Sequence, residues 1–388
     1  MFEREIQKEL FFLATQYPVV TIIGPRQAGK TTLAKIIFPE FHYGNLEYPE
    51  IRNLAENDPR AFFSVYPPPL IIDEIQRVPS LLSYIQVMSD ESSLKGQFIL
   101  TGSHQFQLHE AVSQSLAGRT ALLTLLPLSI SELSKAGIIY NRDEYLFQGF
   151  LPRIYKDNLE PTRFYRNYYQ TYIERDIKQI SNIRNLMLFD KFLHILAGRI
   201  GQLINLHSIS SEVGISSTTL NEWLSILEAS FIIYRLKPYY ENISKRLIKS
   251  AKLYFTDAGL ACYLPGITEI NHVGRDPLIG NLFENLIVIE ALKARMNQGL
   301  DANLFFYRDN NQHEVDLLFK KGRDLIPIEI KPAMTYHDSL HKNIDYFIKN
   351  FDTKPGYLIY AGELEIKKES INVVNFSHMH SIFLDSNF

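Results

Sequence analysis

The chain carries the stretch Gly24-Pro25-Arg26-Gln27-Ala28-Gly29-Lys30-Thr31 between an apolar run, Val19 to Ile23, and a helical pattern, Leu33 to Phe38. The stretch matches the pattern G-x-x-x-x-G-K-[ST] in full, and it lies between a predicted buried strand and a predicted helix. Glycines let the backbone N–H groups of such a loop turn inward around phosphates, and the start of a helix adds positive potential. The sequence therefore predicts a phosphate-binding loop, or P-loop, in an α/β fold.

The predicted P-loop gives individual side chains a role. The residues expected to surround the phosphates are Gly24, Pro25, Arg26, Gln27, Ala28, Gly29, Lys30, Thr31 and Thr32. Lys30 is expected to reach the β- and γ-phosphates of ATP, and the Thr31 hydroxyl is expected to ligate Mg²⁺. ATP and magnesium are therefore the predicted cofactors.

Two further apolar strands are predicted to end beside this loop. Leu70 to Ile72 runs into Asp73 and Glu74, and Phe98 to Leu100 runs into Thr101-Gly102-Ser103-His104. Solid apolar runs without polar alternation are typical of a parallel sheet that helices cover on both faces. We expect the polar residues that follow these strands to lie at the same edge of the sheet as the P-loop.

The polar residues at this edge predict the chemistry. Asp73 is expected to hold magnesium, and Glu74 is expected to orient and deprotonate an attacking water. Two adjacent carboxylates after such a strand favour hydrolysis over transfer to another substrate. Thr101, Ser103 and His104 are candidates for a polar group that senses the γ-phosphate, although Thr-Gly-Ser is also ordinary turn chemistry. The predicted activity is magnesium-dependent ATP hydrolysis.

The composition excludes several classes of protein. Forty basic and 43 acidic side chains give a net charge of -3, which excludes a uniformly polycationic nucleic-acid binder. With 46% hydrophobic and 21% charged residues, global disorder is excluded. The single cysteine, Cys262, excludes an internal disulfide and a thiolate zinc cluster, and no 18 apolar residues run without interruption. We expect a cytoplasmic protein without a membrane partner.

The length of 388 residues suits about two or three domains, and the sequence pattern divides into four segments. The predicted segments are a P-loop α/β core with a parallel sheet at 1–126, a helical lid or connector at 127–190, a winged-helix-like segment at 191–265, and an α/β segment at 266–388.

The winged-helix prediction depends on the order helix, tight turn, helix and two strands. The elements are predicted at His207 to Val213, Ser216 to Glu228, Phe231 to Leu236 and Lys252 to Phe255, with a basic tip at Lys245, Arg246 and Lys249. A protein that recognises duplex DNA usually contacts phosphates and guanine edges with arginine or lysine side chains. In this segment only the tip carries such side chains. The segment is therefore expected to contact either DNA or another protein.

Ionisable residues in the last segment are predicted to converge. Asp316 lies within the strand pattern Val315 to Phe319, and Glu329-Ile330-Lys331 ends the next strand. Period-two geometry places Glu329 and Lys331 on one face, and Glu284 on the preceding helix adds a fourth group. This D…ExK spacing, and the order helix, three strands, helix, strand, resemble the PD-(D/E)XK nuclease-like fold.

Two interpretations of this second site stay open. Two carboxylates can hold Mg²⁺ or Mn²⁺ while a lysine orients or activates water, which predicts a DNA nuclease. However, Val315 stands where the nuclease pattern usually has proline, and Pro332 follows the lysine. The alternative is an inactive or purely binding version of the fold, with Lys331 as a solvated charge at the end of a strand.

Several motifs taken together resemble those of the AAA-type ATPases (AAA_14-like) that carry a carboxy-terminal domain of unknown function, DUF4143. They are Gly24 to Thr31, Leu70-Ile71-Ile72-Asp73-Glu74-Ile75-Gln76, Leu100-Thr101-Gly102-Ser103, Ser115-Leu116-Ala117-Gly118-Arg119, Tyr172-Ile173-Glu174-Arg175-Asp176 and Gly280-Asn281-Leu282-Phe283-Glu284. The resemblance implies an ATP-binding AAA-type core with the acid–glutamate hydrolytic arrangement. In AAA-like enzymes an arginine often completes the site of a neighbouring subunit, which implies a homo-oligomer with Arg119 and Arg175 as candidates. The alternative for Arg175 is an ion pair with carboxylates of its own or a packed helix.

Two functions follow for the whole chain. In one, ATP binding and hydrolysis control a carboxy-terminal module that docks on DNA or protein. In the other, ATP turnover drives a metal-dependent DNA nuclease at the D…ExK site.

Overall fold

The computed structural model describes residues 2–102, 115–172, 185–240, 250–309, 311–351 and 353–385, and the chain forms two compact units. The amino-terminal unit comprises Met1–Leu128 and two short segments, Ala229–Phe231 and Met296–Leu300. The carboxy-terminal unit comprises Ser129–Glu228, Ile232–Arg295 and Asp301–Phe388. The three segments predicted after residue 126 thus fall almost entirely in one compact unit.

The amino-terminal unit is built on a sheet of five parallel strands in the order β2-β3-β4-β1-β5 within the described residues. The strands are β1 Val19–Ile23, β2 His42–Asn45, β3 Leu70–Asp73, β4 Phe98–Gly102 and β5 Thr120–Thr124. Every residue of β1, β3 and β4 is buried, as their solid apolar runs predict for a parallel sheet. The mixed α/β fold with a parallel sheet is therefore confirmed.

Helices cover this sheet in the described part of the unit. They are α1 Gln7–Gln16, α2 Lys30–Ile37, α3 Pro49–Asn57, α4 Pro59–Val65 and α5 Leu81–Glu91, with a 3-10 turn at Ile75–Arg77. Ile6, Leu10 and Ala14 recur every four residues, which aligns them along one face of the first helix. They pack with Val20 and Ile22 of β1 in one apolar cluster, so the helix is held by burial against the sheet.

Helices occur along the whole carboxy-terminal unit. In the described residues they are α6 Ile130–Lys135, α7 Arg142–Gln148, α8 Pro152–Lys156, α9 Pro161–Tyr168, α10 Leu186–Ala197, α11 Leu206–Val213, α12 Ser217–Ala229, α13 Ala258–Tyr263, α14 Ile270–Val273, α15 Ile279–Met296 and α16 Lys342–Asn350. Helix α6 starts with a capping box in which Ser129 Oγ accepts from Glu132 N (3.1 Å) and Glu132 Oε2 accepts from Ser129 N (2.9 Å). These two bonds satisfy backbone N–H groups that would otherwise have no partner at the start of the helix.

One mixed sheet runs through this unit in the order β12-β13-β11-β10-β9-β8-β6-β7, among the residues that the structure describes. Its strands are β6 Ile233–Pro238, β7 Lys252–Phe255, β8 Leu304–Arg308, β9 Glu314–Lys321, β10 Asp324–Lys331, β11 Gly356–Tyr360, β12 Ile366–Lys367 and β13 Ile371–Asn375. Strands β8, β9 and β10 are antiparallel neighbours, and β11 lies parallel to β10 after the crossover through α16. The predicted order helix, three strands, helix, strand is observed from α15 to β11.

The antiparallel hairpin of β6 and β7 corresponds to the two strands predicted for the wing. The sequence separates this hairpin from the last segment, whereas in the structure β6 also pairs with β8 through Lys237 with Phe305 and Pro238 with Phe306. A pairing of two residues leaves no signature in the sequence pattern. The winged-helix and nuclease-like assignments stay predictions, and the basic tip at Lys245, Arg246 and Lys249 lies outside the described residues.

Candidate functional site

The predicted P-loop joins the carboxyl end of β1 to the start of α2. Gly24 has φ 151° and Gly29 has φ 97°, both in the region that favours glycine. A Cβ atom at Gly24 would lie 2.1 Å from the carbonyl oxygen of Leu125, so the chain passes too close for any side chain. These constraints fix the path of the loop.

Lys30, the first residue of α2, is the buried cation of this loop. Its Nζ donates to the carbonyl oxygens of Gly24 (2.9 Å) and Pro25 (2.8 Å), and the residue is 6% exposed. Burial lowers the pKa of Lys30 to about 8, while the charges of Glu74 and Asp73 oppose this shift. A buried ammonium whose partners are neutral carbonyls favours the arrival of an anion, because a phosphate would compensate its charge.

Asp73, at the end of β3, gathers hydroxyl donors from three different elements. Its Oδ1 accepts from Thr31 Oγ1 (2.8 Å) and from the Thr101 hydroxyl, and its Oδ2 accepts from the Tyr43 hydroxyl (2.9 Å). Burial, followed by the charge of Asp73, raises the pKa of Tyr43 above its ordinary value. The structure thus brings the two predicted magnesium residues, Thr31 and Asp73, into direct contact.

Glu74 follows directly and has a left-handed backbone, with φ 58°. Its backbone N–H donates to Thr101 Oγ1 (3.3 Å), and its carboxylate accepts a hydrogen bond from the Gln76 side-chain amide. A left-handed conformation is uncommon for a residue with a Cβ atom and is frequently found at functional sites. The predicted base is therefore held next to Asp73 in a defined orientation.

Tyr43 and Arg4 also belong to this site, although the sequence pattern does not predict them there. Tyr43 lies on β2, a short strand of mixed burial without the apolar run that marks the other central strands. The buried Arg4 donates from Nη1 to the Ala28 carbonyl (2.8 Å) and from Nη2 to the Leu126 carbonyl (2.7 Å). Arg4 thus links the P-loop to the chain after β5. Because Leu126 lies 122 residues further along the chain, no local sequence pattern predicts this contact.

The predicted residues around the P-loop differ in exposure and position. Thr32 on the first turn of α2 and Gln27 in the loop are exposed to solvent. Arg119 precedes β5 and therefore lies at the amino edge of the parallel sheet, opposite the P-loop, where it forms a bidentate pair with Asp90 (2.6 and 2.9 Å). Ser103, His104 and Arg175 lie outside the described residues.

The second predicted site brings Asp316, Glu329 and Lys331 together on β9 and β10. Lys331 Nζ lies 2.7 Å from Glu329 Oε1 and 3.2 Å from Asp316 Oδ2, which also accepts from Ile330 N (2.9 Å). Burial, and then the charge of Asp316, raise the pKa of Glu329 to about 8 against the opposing effect of Lys331. Glu329 Oε2 is buried and meets no hydrogen-bond partner among the described residues.

Glu284 of α15 extends this site through residues that the sequence pattern does not predict. Glu284 Oε1 accepts from Lys252 Nζ (2.9 Å) and from the Tyr254 hydroxyl (2.6 Å), both on β7. The same Nζ lies 2.5 Å from Glu314 Oε1 on β9, and Arg308 Nη1 lies 3.4 Å from Glu314 Oε2. We call Glu284, Glu314, Asp316 and Glu329 the carboxylate cluster.

Across the described parts of the chain, no group of three or more histidine, cysteine, aspartate or glutamate side chains is arranged to hold a metal ion. Among the helices in the same residues, none combines the length and apolar character needed to cross a membrane.

Three family models match consecutive parts of the chain. Residues 16–134 match an AAA domain, residues 140–271 match a domain of unknown function (DUF8612), and residues 279–379 match a domain of unknown function (DUF4143). The resemblance to AAA-type ATPases with a carboxy-terminal DUF4143 domain is thereby confirmed.

Relatives and a solved structure are similar along most of the chain. An uncharacterized protein of Mycobacterium tuberculosis is 28% identical over 351 residues, which cover 89% of this chain and 77% of the relative. An uncharacterized protein of Haemophilus influenzae is 21% identical, covering 84% of this chain and 86% of the relative. The Walker-type ATPase of Pyrococcus abyssi is 16% identical with a TM-score of 0.46, covering 68% of this chain and 96% of that chain.

Proposed function

We propose that the AAA domain binds ATP with Mg²⁺ and hydrolyses the bond between its β- and γ-phosphates, and that the nucleotide state controls docking of the carboxy-terminal unit on DNA or protein. The observation that carries the proposal is the buried Lys30 ammonium inside the P-loop, next to the contact between Thr31 and Asp73. The test measures ATP binding and phosphate release by the purified full chain with Mg²⁺. A chain that binds no ATP would overturn the proposal.

The residues of the site fit the cofactors. Lys30 would neutralise the β- and γ-phosphates together with the N–H groups of the loop and of the first turn of α2. Thr31 and Asp73 would hold magnesium, which supplies positive charge beside the phosphates when it is bound. Glu74 would orient a water and accept its proton, while its Oε2 also accepts a hydrogen bond from the Gln76 amide.

The buried Lys30 predicts a pH dependence of ATP binding. Free Lys30 has its pKa lowered to about 8, and the phosphates favour the ammonium form, so the pKa rises when ATP binds. Above pH 8 the protein must therefore take up a proton to bind, and affinity falls as the pH rises. By linkage, we expect the Kd for ATP to increase about tenfold between pH 7 and pH 9.

Equilibrium binding of ATP at fixed ionic strength measures this change. Lys30→Arg provides the control, because a guanidinium stays charged throughout this range and should remove the pH dependence. A Kd for the parent protein that stays constant or decreases toward pH 9 would contradict the expected role of Lys30.

We further propose a cytoplasmic homo-oligomer in which Arg119 completes the site of a neighbouring subunit. Arg119 lies at the amino edge of its own sheet, so it can serve a P-loop only in another copy of the chain. Its pair with Asp90 is open to solvent, with the two side chains 30% and 50% exposed, so exchanging it for a contact with phosphate costs little. The mass of the ATP-bound protein in solution tests this, because a monomer would exclude the role.

The second candidate function is a DNA nuclease at the D…ExK site. It is favoured by the convergence of Asp316, Glu329 and Lys331 and by the strand order β8-β9-β10-β11 with its α16 crossover. The test incubates the full chain with linear and supercoiled DNA, ATP and either Mg²⁺ or Mn²⁺. Cleavage that Asp316→Ala abolishes would establish this candidate, whereas retention of DNA without cleavage would favour docking.

A further inference from the structure

Tyr43 lies on β2, at one edge of the amino-terminal sheet, and its side chain reaches Asp73 on the neighbouring strand β3. The parallel register pairs Tyr43 with Ile71. Because side chains alternate along a strand, Tyr43 stands on the same face of the sheet as Ile71 and Asp73. The tyrosine side chain spans the two residues from Ile71 to Asp73, and its hydroxyl donates to Asp73 Oδ2 (2.9 Å).

The ring of Tyr43 is held by two further contacts. It packs against the apolar cluster to which Leu33 and Ile71 belong, and Lys35 Nζ lies 3.3 Å from the centre of the ring. The raised pKa of Tyr43, caused by burial and then by the charge of Asp73, keeps the phenol protonated at neutral pH. The hydroxyl is therefore a fixed donor to the carboxylate.

The donors on Asp73 engage both of its oxygens. Oδ1 accepts from Thr31 Oγ1 (2.8 Å) and from the Thr101 hydroxyl, whereas Oδ2 accepts from Tyr43. The last torsion angle of an aspartate is soft, so bonds at a single oxygen leave the carboxylate plane free to turn. A donor at each oxygen fixes the plane, and Tyr43 supplies the one at Oδ2.

We infer that Tyr43 is a positioning residue of the magnesium site, whose hydroxyl sets the plane of the Asp73 carboxylate and thereby strengthens the binding of Mg²⁺ together with ATP. The inference rests on the proposed function, because it concerns the same aspartate. Loss of a group that orients a metal-binding carboxylate typically costs about 10–100-fold in metal affinity. We expect the lower end of this range, because Thr101 still holds Oδ1.

The test measures the Kd of the full chain for a non-hydrolysable ATP analogue, once with saturating Mg²⁺ and once with EDTA. Tyr43→Phe removes only the hydroxyl, so it should raise the Kd in Mg²⁺ about tenfold and leave the Kd in EDTA unchanged. Tyr48→Phe is the matched control. Tyr48 follows the same strand and is 54% exposed, so its variant should behave like the parent.

The outcomes separate this inference from the proposed function. A parent chain whose Kd is not lowered by Mg²⁺ would overturn the proposed magnesium site and the inference together. If the parent responds to Mg²⁺ and Tyr43→Phe responds equally, the inference alone fails. It also fails if Tyr43→Phe loses the same affinity in Mg²⁺ and in EDTA, because the hydroxyl would then not act on the metal.

Asp73→Asn provides a second measurement through a double-mutant cycle. In this background the carboxylate is absent, so adding Tyr43→Phe should leave the Kd in Mg²⁺ unchanged, and a further tenfold loss would contradict a role through Asp73. If Tyr43→Phe is only marginally stable, melting temperatures replace the Kd values. The analogue with Mg²⁺ should then raise the melting temperature of Tyr43→Phe less than that of the parent, and an equal rise would overturn the inference.

Discussion

Lys30→Met is expected to weaken ATP binding about 100-fold and to reduce hydrolysis to background, because charge-assisted hydrogen bonds to phosphate each contribute roughly 1.5–3 kcal/mol. The ammonium is the buried positive charge at the centre of the loop, already directed at its carbonyl oxygens. Methionine keeps the length of the side chain and loses the charge. The effect is measured as the Kd for ATP by calorimetry and as the rate of phosphate release.

Lys8→Met is the matched control for this experiment. Lys8 is exposed on α1 in the same unit, so its substitution should leave ATP affinity and turnover unchanged. Thermal unfolding of both variants checks that each is folded. If Lys30→Met bound and hydrolysed ATP like the parent, the P-loop would not be the nucleotide site.

Glu74→Gln is expected to reduce kcat about 100-fold or more while ATP affinity stays close to that of the parent, because general-base catalysis contributes roughly this factor. The substitution removes the proton-accepting charge and keeps the shape of the side chain. The substitution alters neither the backbone N–H of Glu74, which donates to Thr101, nor the neighbouring residue Asp73. ATP should therefore accumulate on the variant without turnover.

Single-turnover hydrolysis and equilibrium ATP binding, measured on the same preparation, separate the two effects. Glu56→Gln, at an exposed glutamate of α3, provides the control and should turn over like the parent. Undiminished hydrolysis by Glu74→Gln would exclude Glu74 as the base. A parallel loss of ATP affinity would instead indicate that Glu74 contributes to binding.

The parts of the fold that the sequence predicts are those with a local physical signature. The strands β1, β3 and β4 are recognisable as solid apolar runs because both of their faces are covered. Gly24 and Gly29 are recognisable because the loop needs backbone angles and space that other residues do not allow. The location of Asp73 and Glu74 can be predicted from these elements, because the carboxyl ends of parallel strands lie at one edge of the sheet.

The parts that the sequence does not predict depend on contacts between distant positions. Arg4 reaches the P-loop from the start of the chain, and Tyr43 reaches Asp73 from a strand without an apolar run. Lys252 and Glu284 belong to segments that the sequence pattern treats as separate domains, yet their side chains meet at 2.9 Å. Such contacts depend on the order of the strands in the sheet, and the spacing of residues along the chain does not encode that order.

The three hydroxyls on Asp73 have a consequence for the energy needed to load the site. If magnesium were held by Thr31 as proposed, the carboxylate would give up one donor and keep the hydroxyls of Tyr43 and Thr101, which would preserve its direction. Little dipole reorientation would then accompany the arrival of the cofactors, and the reorganisation energy would be low. The aspartate would therefore be set for the loaded state before the nucleotide arrives.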